Sequence, residues 1–91
     1  MNEVETKRFL GEIEREIIRS KDDNVSENVT KLIREAGLSL EYPWAGIDSM
    51  ISCCKTREKA LKQLALVSNA EGRAMDVDKI LGNRKLNLQS L

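Results

Sequence analysis

The chain contains no histidine, and that absence removes much of enzyme chemistry at the outset. Histidine is the side chain that most often titrates near neutrality and the commonest metal ligand. Cysteine is nearly as scarce, with Cys53 and Cys54 the only two, adjacent in sequence. Neighbouring residues on a helix point about 100° apart, so a disulfide between them would strain the backbone. Two thiols without other soft ligands cannot complete a four-coordinate zinc site. Two reduced thiols are expected, at least one of them packed as a small apolar group. Lys55 and Arg57 follow Cys54 and would favour a thiolate, but no proton acceptor is at hand to complete a nucleophilic site.

Other absences narrow the field further. No stretch approaches the ~20 apolar residues that span a bilayer. The start, Met1-Asn2-Glu3, is acidic and has no apolar core behind it, so no signal peptide and a cytoplasmic location are expected. Glycines at 11, 37, 46, 72 and 82 match neither a phosphate-binding loop nor a dinucleotide fingerprint. Asp22-Asp23-Asn24 lacks the glycine and the closing glutamate of a calcium loop. Glu12 and Glu16 share a helix face opposite the apolar stripe, and Asp76 and Asp78 lie close in sequence; solvated carboxylates are expected rather than an inward metal site. A non-enzymatic chain with no cofactor, no metal and no small-molecule substrate is the resulting expectation.

What remains is a short chain rich in charge. Its 91 residues are 41% hydrophobic and 33% charged, a helical profile rather than a disordered one. A domain of this size buries roughly 64% of the surface its unfolded chain exposes, which leaves little surplus stability. Such domains often gain from a partner or a second copy. Net charge is zero but uneven. Residues 1–48 carry seven Lys/Arg against eleven Asp/Glu, giving −4, and residues 49–91 carry eight against four, giving +4. Either the halves complement each other when packed, or the second half presents a basic surface.

Periodicity places the helices. Phe9, Leu10, Ile13, Ile17 and Ile18 make one stripe over about 3–21, opened by Asn2 and Glu5 at capping-box spacing. Asn24 with Glu27 repeats that spacing, and Val25, Val29, Leu32, Ile33 and Ala36 define a second helix over 24–36. Gly37 suits the left-handed residue past its end. Pro43 suits the first turn of a third helix with Trp44, Ile47, Met50, Ile51 and Cys54. Thr56 caps a fourth over 57–69, with Ala60, Leu61, Leu64, Ala65 and Val67 inward. Ser68-Asn69 marks a break before a fifth helix over 70–81, stopped by Gly82. Ile13, Ile17, Leu32, Ile33, Leu61 and Leu64 are the expected core. The expected fold is all-α, a compact bundle of four to five short helices over 1–82, followed by a tail or arm over 83–91.

Two features point to binding. Leu38, Leu40, Tyr42 and Trp44 crowd four large groups into seven residues, either capping the core or forming a partly exposed anchor for another protein. Lys55, Lys59 and Lys62, with Arg57, fall at helical spacing near a helix start, a pattern that can neutralise phosphates. Arg73, Lys79, Arg84 and Lys85 could extend it. The sequence pI near 6.3 falls short of a dedicated nucleic-acid domain. The leading expectation is therefore a non-enzymatic protein-interaction or assembly module that binds a protein partner or a second copy of itself as a homo-oligomer. The alternative is a small nucleic-acid-binding accessory protein using the basic helix face.

Overall fold

Asn2 opens the first helix, its side-chain oxygen accepting the Glu5 N–H at 2.8 Å. That bond satisfies one of the donors every helix start leaves unpaired. In the computed structural model, which describes residues 2–82, α1 spans Glu3–Arg19. Ser20 closes it, donating its hydroxyl to the Glu16 carbonyl at 2.6 Å and accepting from Asn28 Nδ2 at 2.9 Å. The second bond ties the end of α1 to α2, Val25–Glu35. The capping box expected at Asn24 does not form. A 3-10 turn at Asp22–Asn24 leads into α2, so Asn24 is already helical and its side chain makes no capping bond.

Glycine ends two helices by the same device. Gly37 takes φ 74°, its N–H donating to the Arg34 carbonyl at 3.0 Å, while the Leu38 N–H reaches the Ile33 carbonyl at 3.2 Å. This is the Schellman pattern, and it turns Leu38 back onto the core beside Ile33. α3, Trp44–Ile51, follows Pro43, and α4, Arg57–Ala70, is capped by Thr56, whose hydroxyl accepts the Lys59 N–H at 3.1 Å.

The chain past α4 departs from the sequence expectation. Ser68 and Asn69 do not break the helix; Ser68 is fully buried within it. The stop is Gly72 at φ 85°, where the Gly72 N–H donates to the Asn69 carbonyl at 3.1 Å and the Arg73 N–H to the Ser68 carbonyl at 2.8 Å. The helix expected over 70–81 shrinks to 77–82. Its start is Asp76, whose carboxylate accepts the Lys79 N–H at 3.2 Å. The tail or arm expected over 83–91 lies outside the described residues.

The architecture is all-α, with no strand among the described residues. α1 packs on α2 and α4, and α3 packs on the same two, so the four helices close around one core. Ile13, Ile17, Ile33, Leu61 and Leu64 sit in it as expected, together with Leu10, Val25, Val29, Ile47 and Ile51. Leu32 does not. It is half-buried at the edge, in an open groove between α1 and α2 beside Glu16, Asn28, Lys31 and Glu35. Met75, Val77, Ile80 and Leu81 pack half-buried against the core.

Arg73 fastens this last segment. Its guanidinium meets Glu14 at 2.7 Å, with side-chain exposures of 25% and 18%, so water screens the pair only partly. A double-mutant cycle on Arg73→Ala and Glu14→Ala should therefore give a coupling of about 1–2 kcal/mol, above the usual surface pair. A coupling near zero would mean the two charges are independently hydrated. The same guanidinium covers Gly11, where an added Cβ would lie 3.5 Å away, an ordinary contact. Gly11→Ala should thus raise stability by up to ~1 kcal/mol through helix propensity. Thermal melting would test it, and a clear destabilisation would show that Arg73 needs the glycine.

Candidate interaction surfaces

The connector between α2 and α3 is a turn pinned at both ends. The Glu41 N–H donates to the Leu38 carbonyl at 3.0 Å, and the Ala45 N–H donates to the Glu41 carbonyl at 2.8 Å. Leu38 is buried at one end; Pro43 and Trp44 are buried at the other. The Trp44 ring meets Phe9 edge-on, centroids 5.0 Å apart and planes at 88°, a favourable aromatic geometry. At the tip between these anchors Leu40 is 95% exposed and Tyr42 84%. The four residues singled out from the sequence thus divide. Leu38 and Trp44 belong to the core, where no partner can reach them. Leu40 and Tyr42 stand in water, with exposed Glu41 between them.

The basic run is also broken up. Lys55 precedes the Thr56 cap, so it does not lie on α4 and cannot continue the helical spacing of Lys59 and Lys62. Arg57 is turned to structural use. Its backbone N–H and its Nε donate to Asp22 Oδ1 at 3.0 and 3.3 Å, and a terminal guanidinium nitrogen donates to the Ile18 carbonyl at 3.4 Å. Lys62 lies 3.8 Å from Glu58. Lys59 makes no ion pair among the described residues. Arg73 is held by Glu14, and Arg84 and Lys85 lie outside the described residues.

The N-terminus of α4 already holds an anion. The backbone N–H of Arg57, aided by its guanidinium and opposed by a smaller desolvation effect, holds the Asp22 carboxyl below the usual carboxylate range. With Asp22 and Thr56 accepting the first donors of the helix, a phosphate would have to displace the chain's own oxygens.

The cysteines behave as small side chains. Cys53 is exposed and Cys54 buried, both free. Desolvation first, and then the neighbouring Cys53, push the Cys54 thiol up, outweighing the opposite pull of Lys59. The lysine-activated thiolate that the sequence allowed is therefore not favoured at Cys54. Among the described residues no three His, Cys, Asp or Glu side chains gather closely enough to hold a metal ion. None of the described helices is long and apolar enough to cross a membrane.

One exposed leucine escaped the sequence reading. Leu66 is 66% exposed on α4, outside the inward stripe. It follows Lys59 by seven residues and Lys62 by four, so the three share the outer face of the helix. The signal was present in that spacing, but the inward stripe of the same helix masked it. No protein-family model, curated protein or solved structure matches the chain.

Proposed function

We propose that this chain is a non-enzymatic protein-interaction module that assembles with copies of itself through the turn carrying Leu40 and Tyr42. The observation that carries this reading is their exposure, 95% and 84%, on a turn pinned by buried Leu38 and Trp44. Scattered apolar residues on a surface are ordinary. Two large ones at the tip of a tethered turn are less so, because the tether removes in advance much of the ordering entropy that binding would otherwise cost. Tyrosine also adds contact area at low conformational cost. Nucleic-acid binding is the weaker reading, since Arg57 is tied to Asp22 and Lys55 stands off the helix face.

The test is molar mass by light scattering over a concentration series. Mass should rise with concentration for the natural chain. Leu40→Ser with Tyr42→Ser should weaken assembly at least about tenfold, equivalent to ~1.4 kcal/mol. Thermal stability at low concentration should barely change, because neither side chain packs inside the fold. A monomeric mass at every concentration would refute self-assembly. Retention on nucleic acid at ~50 mM salt, lost steeply as salt rises, would favour the other reading.

A further inference from the structure

We infer that the surface of a second copy receiving the Leu40–Tyr42 turn is the outer face of α4, at Lys59, Lys62 and Leu66. The inference rests on the self-assembly reading and names the partner surface within it. Two observations carry it. The first is charge. The turn has exposed Glu41 between its two apolar side chains, whereas the α4 face sets its exposed leucine beside Lys59 and Lys62. Lys59 makes no ion pair among the described residues, and Lys62 is held only by exposed Glu58 at 3.8 Å, so both ammonium groups can turn to a new carboxylate. The second is apolar matching. Leu66 is the exposed large apolar group on α4, with Lys62 one turn and Lys59 two turns before it on the same face, so a partner that brings both apolar area and negative charge suits it. The turn brings both.

The alternative of two turns meeting about a two-fold axis would set Glu41 against Glu41, and like charges across an interface disfavour that arrangement. The junction is therefore turn on α4. Two copies exchange it reciprocally about a two-fold axis, or each copy offers a turn to one neighbour and an α4 face to another, so that assembly closes as a dimer or ring or extends as a chain. Contacts of this charge pattern weaken as salt rises.

Complementation between two defective variants tests this. One carries Leu40→Ser with Tyr42→Ser, the other Lys62→Glu with Leu66→Ser. All four side chains are exposed, so the turn variant should keep the melting temperature of the natural chain and the α4 variant should stay folded, losing only a few degrees through the broken Lys62–Glu58 pair and the lower helix propensity of serine. Each alone should stay monomeric where the natural chain assembles. Mixed one to one they should form a heterodimer and nothing larger, because only one intact junction remains. Natural-chain assembly lost in the turn variant but unaffected by Lys62→Glu with Leu66→Ser would overturn the α4 assignment and leave self-assembly standing. Failure of the mixture to pair would do the same. A natural chain that never assembles would remove both.

Discussion

Trp44→Ala is expected to cost about 3–5 kcal/mol of folding stability, the usual range for deleting a buried tryptophan. Trp44 is 1% exposed, and its ring packs edge-on against Phe9. Truncation leaves a cavity bordered by α1 and α3 that the rest of the core can only partly refill. A domain of this size holds on the order of 5–15 kcal/mol in total, so the variant should lose a large share of its stability. Urea denaturation followed by far-UV circular dichroism would measure the loss. The natural chain offers a parallel check, because Trp44 is its only tryptophan and its fluorescence reports this one site. A loss below about 1 kcal/mol would mean the ring is not packed as described. Trp44→Phe keeps an aromatic edge for Phe9 and should cost less than the alanine change.

The second large effect contrasts two neighbours in sequence. Ile33 is fully buried, whereas Leu32 is half-buried in the groove between α1 and α2. Ile33→Ala should cost about 2–5 kcal/mol and Leu32→Ala only about 1–2, because less area leaves water at Leu32 and solvent can fill the gap. Urea midpoints for the two variants, at an unchanged slope, decide the order. Equal losses would place Leu32 inside the core, as its position on the apolar stripe suggested.

That contrast shows how legible the fold was. The α2 stripe held five apolar residues, and residue spacing alone cannot tell which of them face the neighbouring helices squarely. Ile33 points into the closed ring of helices, whereas Leu32 points toward the seam with α1. The fifth helix was misplaced for a related reason. Ser68 and Asn69 look like helix breakers in isolation, yet Ser68 is buried and gives its hydroxyl to the Arg73 carbonyl at 2.7 Å, so the helix continues through it. The signals for the true boundaries were present in Gly72 and Asp76. They were outweighed by polar residues whose partners lie further along the chain.

The candidate surface was half legible. Crowding of Leu38, Leu40, Tyr42 and Trp44 marked the segment, but only packing could separate the buried anchors from the exposed tip. The arrangement of the basic run was not legible, because its central member has a partner 35 residues away. Nothing in the local pattern of Arg57 connects it to Asp22, and nothing around Arg73 connects it to Glu14, 59 residues distant.

By itself the sequence determined the helical class, the caps at Asn2 and Thr56, the glycine stop at Gly37 and most of the core. These depend on interactions within one or two helical turns, where spacing along the chain equals position in space. Tertiary structure alone decided that Trp44 is core while Tyr42 meets water, and that Arg57 and Arg73 hold helices together. Those outcomes depend on which surfaces the helices bury against one another. Burial is a property of the closed ring of four helices and is not encoded in any one of them.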